Sequence, residues 1–212
     1  MELYNYFRSS ASYRVRIALS LKKLPYDYKV VHLVNNGGEQ NSTSYSSLNP
    51  MKQVPTLVDN NFSITQSLVI LEYLDEAYPE IKLFPYNLQD RIRVKEFCEI
   101  INSGIQPLQN LKTTQMLDSI FNASSSQKNQ WMQEWLSHGF RALESFMSKH
   151  SKTYTFGNSI SAADCFLLPQ IFAAKRFNFN TDNYPNVTRV YNSLSAVKEV
   201  QLAHPEKQPD FK

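Results

Sequence analysis

Cysteine is scarce in this sequence, which has two among its 212 residues. Cys98 and Cys165 stand far apart, and neither lies at a spacing typical of metal ligands. This scarcity excludes a disulfide framework and a cysteine-based zinc site. We therefore expect two reduced, buried thiols and no bound metal.

Long apolar runs are also missing. No stretch approaches the roughly 18–20 uninterrupted apolar residues that a membrane-spanning helix needs. Residues 1–8 contain no basic stretch followed by an apolar run, so they do not resemble a secretory signal. We expect a cytoplasmic protein that has no membrane partner.

Neither charge sign is in large excess, since the net charge is +3 at pH 7. Lysine, arginine, aspartate and glutamate are interspersed rather than grouped in blocks, a pattern that gives little support to nucleic-acid binding. It still allows a locally positive site for a small acidic ligand. The composition, 42% apolar and 19% charged, is typical of a globular chain and excludes a disordered, collagen-like or coiled-coil protein.

The first 78 residues alternate strand and helix patterns. The predicted elements are strand 2–7, helix 12–23, strand 26–33, strands 56–58 and 62–65 around a turn at 59–61, and helix 67–78. Residues 35–38 are too rich in turn formers for regular structure. This order predicts a small α+β domain over residues 1–78, with the arginines of helix 12–23 on its charged face.

Prolines at 79 and 85 end the alternating pattern, and we place a linker at residues 79–87. Residues 88–212 show helical periodicity and almost no strand signal, which predicts an all-helical domain. The predicted helices are 89–117, bent at Gly104 and Pro107, then 127–150, 161–174 and 186–194. Ser161 followed by Asp164 is the pattern of a capping box at the third of these starts.

A serine cluster joins the first strand to the first helix, within the run Arg8–Leu19. One interpretation is a helix N-cap, in which a serine oxygen accepts from a free backbone amide. Another is a hydroxyl beside a helix N-terminus, where an anion such as a bound thiolate is favoured. No histidine or carboxylate lies near enough in sequence to indicate an activated serine nucleophile.

Two further segments allow both a structural and a binding role. Pro55 can simply begin an edge strand, and Ser67 can simply cap a helix. A cis bond at Val54-Pro55 would instead turn the Val54 amide and carbonyl outward to pair with a peptide-like ligand. Gln66 and Ser67, at a helix start, would then suit a ligand carboxylate.

These segments together resemble the zeta class of glutathione transferases, which includes the maleylacetoacetate and maleylpyruvate isomerases. The resemblance covers essentially the whole chain. It is carried by Arg8–Leu19, Leu48–Leu57, Gln66-Ser67, Gly104–Leu111, Ser161–Cys165, Pro169-Gln170, Arg176-Phe177, His204-Pro205 and Gln208–Asp210.

The resemblance implies a glutathione transferase fold, in which an α+β, thioredoxin-like N-terminal domain with a cis-proline precedes an all-α C-terminal domain. It also implies glutathione as cofactor, held between the domains, and a homodimer. The positions that match glutathione contacts of the family are Ser9, Ser10, Ala11, Ser12, Tyr13, Arg14, Gln40, Val54, Gln66, Ser67, Gln106 and Asn110. The family commonly has cysteine at position 11, so Ala11 excludes a mechanism that needs that thiol.

The implied activity is glutathione-dependent cis–trans isomerisation of a maleyl dicarboxylate during the breakdown of aromatic compounds. Ser9 matches the serine that faces the glutathione sulfur, with Ser10 beside it. We expect Arg8 and Arg176 to bind the substrate carboxylates. Two alternatives stay open: a broader transferase acting on α-haloacids, and a glutathione-binding module without enzymatic activity.

Overall fold

The computed structural model describes residues 1–211, which contain four β-strands and ten α-helices. The strands are β1 (Glu2–Asn5), β2 (Asp27–Val30), β3 (Thr56–Asp59) and β4 (Phe62–Thr65). The helices are α1 (Ser10–Leu21), α2 (Thr43–Leu48), α3 (Ser67–Ala77), α4 (Leu88–Asn102), α5 (Gln106–Gln109), α6 (Leu111–Phe121), α7 (Ser125–His150), α8 (Ala162–Arg176), α9 (Pro185–Ser195) and α10 (Lys198–Leu202). Short 3-10 helices span Asn35–Gly37, Glu39–Asn41 and Pro205–Lys207, the first of them within the predicted loop.

The chain folds into two compact units. One comprises Met1–Phe84 together with the segment from Ala196 onward, and the other comprises Pro85–Ser195. This division differs from the predicted domains, 1–78 and 88–212, at the end of the chain. The difference arises because α10 packs against α1, and Arg16 on α1 donates to the Ala203 carbonyl at 3.2 Å.

The sheet of the first unit has the order β2-β1-β3-β4. Strands β1 and β2 pair in parallel, with α1 as the crossover that a parallel pair requires, while β3 pairs antiparallel with both β1 and β4. The hairpin turn predicted at 59–61 is present and is formed by Asn60 and Asn61, because Asp59 belongs to β3. The positive φ angles of Asn60 and Asn61, 47° and 66°, are typical of a type I′ turn. The α+β part of the fold prediction is thus confirmed.

The core of the first unit lies where α1 and α3 pack together beside the sheet. Its fully buried side chains come from β1, β3 and the two helices, and include Leu3, Val15, Leu19, Leu57, Ile70, Leu71 and Leu74. Apolar residues at helical spacing on α1 and α3 account for this burial. The packing holds the N-terminal ends of both helices in fixed positions within the unit.

The described second unit contains helices and one isolated β-bridge, between Ser151 and Gly157, which confirms the all-α prediction. The predicted single helix 89–117 is wrong, because it is broken into α4, α5 and α6 rather than bent. Pro107 stands at the start of α5, where its missing amide costs nothing, and Asn110 caps a new helix by accepting from the Thr113 amide at 3.0 Å.

The predicted cap of α8 is present. The Asp164 carboxylate accepts from the Ser161 amide at 2.8 Å and from the Thr155 amide at 2.9 Å. Burial raises the pKa of Asp164, and these hydrogen bonds oppose the shift. Asp164 therefore serves the helix start and the segment before it.

No helix within residues 1–211 combines the length and the hydropathy that crossing a membrane requires. In the same residues, no three His, Cys, Asp or Glu side chains are grouped so that they could hold a metal ion.

The buried carboxylate of Asp75 helps to hold residues 81–83, which follow α3, against α1 and α3. Asp75 on α3 accepts from the Leu83 amide at 2.6 Å and forms ion pairs at 3.6 Å with Lys22 and with Lys82. The Lys22 ammonium also donates to the Ile81 carbonyl. Burial lowers the pKa of Lys22, and the charge of Asp75 opposes that shift. The predicted linker is thus tied to α1 and α3 over its first half.

We expect Asp75→Ala to lower the free energy of unfolding by about 3–5 kcal/mol, because the buried Lys22 ammonium loses its counter-charge. Glu76→Ala is the matched control, since Glu76 also lies 3.6 Å from Lys82 but its side chain is 77% exposed. That control should change stability by no more than about 0.5 kcal/mol. Urea unfolding at pH 7 measures both, and equal losses in the two variants would contradict the assignment.

Candidate functional site

The turn between β1 and α1 presents a serine at a helix start. Ser9 has an extended backbone, and its Oγ accepts from the Ser12 amide at 3.2 Å, so it is the N-cap of α1. The helix begins at Ser10, two residues before the predicted start. Because the Ser9 oxygen already accepts a hydrogen bond, its hydroxyl proton is left to donate, beside the positive end of the helix dipole. This arrangement suits an anion such as a thiolate.

The two residues before the turn are held through their backbone. The Tyr6 carbonyl accepts from the Ser9 amide at 3.1 Å and from Arg16 Nη1 at 3.3 Å. The Phe7 carbonyl accepts from Arg16 Nη2 at 2.8 Å. The Ser12 Oγ lies 3.5 Å from the Tyr6 amide. Hydrogen bonds from α1 therefore set the path of the chain into Ser9.

The prediction that Arg14 and Arg16 lie on an ordinary charged face of α1 is wrong. Each is buried, with 1% of its surface exposed. The reason is that α1 packs against both α3 and α10, so residues outside its apolar stripe also meet protein. Arg16 donates in addition to Asn5 Oδ1 at 3.0 Å and to the Ala203 carbonyl at 3.2 Å. Burial lowers the pKa of Arg16, while nearby tyrosines and Asp210 oppose the shift.

The C-terminal tail, residues 203–211 after α10, contacts the same turn. Asp210 accepts from the Phe7 amide at 2.9 Å and from the Tyr28 hydroxyl at 2.5 Å. Burial, with a smaller effect of the bond to Asp210, raises the pKa of the Tyr28 hydroxyl. The Phe211 ring packs edge-on against Phe7, with ring centroids 5.5 Å apart. A carboxylate near the end of the chain thus holds an amide two residues before Ser9.

Arg14 joins two segments that the sequence singled out separately. Its Nη1 donates to Ser67 Oγ at 3.0 Å, at the start of α3. Since that oxygen accepts from Arg14, the Ser67 hydroxyl has its proton to donate. The N-cap of α3 is the exposed Gln66, whose side chain caps no amide of the helix. A ligand carboxylate can take that place, as anions do at helix N-termini.

The Val54–Pro55 peptide bond is cis, as the resemblance implies. The preceding carbonyl, of Gln53, is held by two donors at 2.7 Å, Tyr45 Oη and Asn49 Nδ2. Within residues 1–211, no hydrogen bond is made to the amide or carbonyl of Val54. An extended, peptide-like ligand can pair with both groups as an added strand does.

The remaining predicted contacts of the first unit differ in exposure. Ser10 and Ala11 are half-buried in the first turn of α1, whereas Ser12 and Tyr13 are buried beneath it. Gln40 is half-buried in the 3-10 helix Glu39–Asn41. Its Nε2 donates to the Leu33 carbonyl at 3.4 Å, and its Oε1 is buried without a partner among the described residues. That oxygen is an acceptor to which a ligand could donate.

The predicted residues of the second unit lie on three helices. Gln106 is the half-buried first residue of α5, and Asn110 caps α6. Arg176 is exposed in the last turn of α8. In the first unit, Arg8 is likewise exposed, with its guanidinium carbon 5.8 Å from the centroid of the Tyr6 ring. Both arginines proposed for substrate carboxylates are therefore on the surface of their units.

Asp210 is the site residue that sequence reasoning missed. The signal available for it was its place in the matching run Gln208–Asp210, which carries no information about what the carboxylate touches. Its partners, Phe7 and Tyr28, lie about 200 and 180 residues away in the chain. A contact between residues so far apart in the chain leaves no local pattern in the sequence.

Two family models match the chain. The model of the glutathione S-transferase N-terminal domain matches residues 1–76, and that of the glutathione S-transferase C-terminal domain matches residues 113–202. Among curated proteins, the maleylacetoacetate isomerase of Dictyostelium discoideum is 45% identical over 208 residues, covering 98% of this chain and 94% of that protein.

Solved structures of isomerases are also similar to this chain. A holo maleylpyruvate isomerase, described as a bacterial glutathione S-transferase of the zeta class, superposes with a TM-score of 0.96 at 35% identity, covering 100% of both chains. A maleylacetoacetate isomerase from Anaeromyxobacter dehalogenans has a TM-score of 0.88 at 34% identity, covering 100% of this chain and 93% of its own. The latter was solved with dicarboxyethyl glutathione and citrate in its active site.

Proposed function

Because the chain belongs to the zeta class of the glutathione S-transferase family, we propose that it is a glutathione-dependent isomerase. Its substrate would be a maleyl dicarboxylate, maleylacetoacetate or maleylpyruvate, which it converts to the fumaryl isomer. The observation that carries this proposal is Ser9, a hydroxyl at the N-terminus of α1 whose oxygen is occupied by the Ser12 amide and whose proton is left to donate. Such a donor suits the glutathione thiolate.

The role of Ser9 in this mechanism is to stabilise the thiolate rather than to remove its proton. A hydrogen bond to a charged group contributes about 1.5–3 kcal/mol. One pKa unit corresponds to about 1.4 kcal/mol, so this single donor lowers the thiol pKa by about one to two units from roughly 8.5. The dipole of α1 adds about 0.3–1 kcal/mol. Together they leave a substantial thiolate fraction at neutral pH.

The bound thiolate then adds to the conjugated cis double bond of the substrate. The carbon–carbon π bond breaks as the carbon–sulfur bond forms, and the electron pair moves onto the conjugated carbonyl oxygen as an enolate. The former double bond is now single and rotates. Collapse of the enolate expels the thiolate and restores the double bond in the trans form, so glutathione is not consumed. Dicarboxyethyl glutathione, bound in the Anaeromyxobacter relative, is what addition of a glutathione thiol to a butenedioate yields.

The first unit supplies most of the proposed glutathione contacts. The Val54 amide and carbonyl would pair with the peptide backbone of glutathione, and Ser67 with the α3 N-terminus would bind a carboxylate. Gln66 and Gln40 would add polar contacts. Arg14 would act through Ser67, whose oxygen it occupies at 3.0 Å.

Further contacts complete the proposal. Ser10 and Ala11 would line the turn, with Ser12 and Tyr13 packed beneath it. Gln106 and Asn110 would contribute from the second unit. A homodimer in the cytoplasm is the assembly and location that membership of the family supports.

Two exposed arginines are proposed for the substrate carboxylates. A maleyl substrate carries two carboxylates, and guanidinium groups bind carboxylates with paired hydrogen bonds. Arg8 directly precedes the serine turn, and Arg176 ends α8. We assign one substrate carboxylate to each.

An isomer assay tests the proposal. Purified enzyme with catalytic glutathione should convert maleylacetoacetate or maleylpyruvate to the fumaryl isomer, and total free glutathione should stay constant over many turnovers. Loss of glutathione with an α-chloroacid, and no isomerisation, would favour the broader transferase. Glutathione binding without turnover of either substrate would favour a binding module.

We expect Ser9→Ala to lower kcat by roughly 10- to 1000-fold, because one donor to the thiolate is removed. The Kd of glutathione, measured by calorimetry, should change much less. Ser124→Ala is the matched control, since Ser124 is the N-cap of α7 and its Oγ accepts from the Gln127 amide at 3.3 Å. Both variants lose a cap of about 1 kcal/mol. Ser9→Ala with wild-type kcat would refute the assignment of Ser9.

We expect Arg8→Met and Arg176→Met each to lower kcat/KM for the maleyl dicarboxylate by roughly 10- to 150-fold, because a charged hydrogen bond is lost. Conjugation of an uncharged nitroaryl electrophile should barely change. Arg141→Met serves as the control, since Arg141 is an exposed arginine on α7. A variant that slows both substrates equally would instead serve glutathione or the fold, and one that slows neither would place the acid pocket elsewhere.

A further inference from the structure

The backbone of Tyr6 and Phe7 is held from two directions. From α1, the Arg16 guanidinium binds both of their carbonyls, at 3.3 and 2.8 Å. From the C-terminal tail, Asp210 binds the Phe7 amide at 2.9 Å. The Ser9 amide in turn donates to the Tyr6 carbonyl at 3.1 Å, so the position of Ser9 follows from that of the dipeptide.

Asp210 is itself held in place. Its second oxygen accepts from Tyr28 on β2 at 2.5 Å. Within the tail, the Gln208 side chain donates to the carbonyls of Leu202 and His204 at 3.1 and 2.8 Å. The Phe211 ring lies against Phe7. The carboxylate therefore connects β2, the tail and the turn before the serine.

We propose that Asp210 is a positioning residue for the thiolate-stabilising hydroxyl of Ser9, acting through the amide of Phe7. This inference rests on the proposed function, since it assigns Asp210 to the same glutathione site. Asp210 does not touch glutathione in this scheme. It holds the Phe7 amide while Arg16 of α1 holds the Tyr6 and Phe7 carbonyls, so that the Ser9 hydroxyl meets the sulfur at hydrogen-bonding distance.

The geometry explains why a carboxyl side chain stands at this position. Two donors, the Phe7 amide and the Tyr28 hydroxyl, converge on it, and a carboxylate offers an oxygen to each. Asparagine can also satisfy both, because its oxygen accepts from the amide while its NH2 group donates to the tyrosine oxygen. Alanine can satisfy neither. Arg16 is a positive charge near Asp210, and the titratable groups that interact with Arg16 include Tyr13, Tyr26, Tyr28 and His204.

The test measures the pKa of the thiol of bound glutathione, from the ultraviolet absorbance of the thiolate in the binary complex as a function of pH. Asp210→Ala should raise this pKa by about one unit. It should lower kcat/KM for isomerisation at neutral pH by roughly 10- to 100-fold. Asp210→Asn should restore most of both, because it keeps the two hydrogen bonds and deletes only the charge.

Glu144→Ala is the matched structural control. Glu144, on α7 of the second unit, is also a half-buried carboxylate that accepts backbone amides, those of Asn186 and Val187 at the start of α9, at 3.1 Å. It should lose stability in urea and leave the thiol pKa unchanged. A wild-type thiol pKa in Asp210→Ala, or an equal rise in Glu144→Ala, overturns the proposal.

If Asp210→Ala does not fold, the Tyr28→Phe variant tests the positioning role instead. It removes the hydroxyl that orients Asp210 and should raise the thiol pKa by a smaller amount, and an unchanged pKa overturns the proposal. If the wild-type protein isomerises the substrate and Asp210→Ala does so at the same rate, the positioning role is refuted and the proposed function is not. Wild-type protein that binds no glutathione would refute the proposed function itself.

Discussion

The guanidinium of Arg16 is the group on which the candidate site depends. Although it is buried, it donates to four oxygens, those of the Asn5 side chain and the Tyr6, Phe7 and Ala203 carbonyls. The end of β1, the turn before Ser9 and the C-terminal tail meet at this one side chain. A buried acceptor left without a donor costs about 1–3 kcal/mol, and Arg16 supplies a donor to each of these three segments where they converge.

The choice of arginine follows from what converges on it. All four partners are acceptors, so they cannot pair with one another as they would in a strand ladder. A planar fork with five N–H donors satisfies them together, whereas an ammonium has three donors and is more strongly hydrated. Burial disfavours the charged form of Arg16 and so lowers its pKa. Asp210 and the surrounding tyrosines offset part of that effect, which links the tail to the same cluster.

Features with a local cause could be predicted from the sequence. The hairpin at Asn60-Asn61, the serine N-cap of α1 and the Asp164 cap of α8 each depend on residues within a few positions of one another. Features with a distant cause could not. The burial of Arg16 depends on α10, which follows it by about 180 residues, and the role of Asp210 depends on Phe7. The break between α4 and α6 could be predicted only in part. Gly104 and Pro107 indicated a change of direction in the sequence, but nothing indicated that Asn110 caps a new helix.

The two serines at helix starts, Ser9 and Ser67, share one feature: each oxygen accepts a hydrogen bond from within the protein. Ser9 gives its oxygen to the Ser12 amide, and Ser67 gives its oxygen to Arg14. Each oxygen accepts one hydrogen bond from within the protein, which holds the hydroxyl in place, and each hydroxyl proton is left to donate. In the proposed binding mode the Ser9 proton meets the thiolate and the Ser67 proton meets a carboxylate, so each anionic group of the ligand finds a donor. Alanine at position 11 alters neither hydroxyl, so the absence of a thiol there leaves both donors in place.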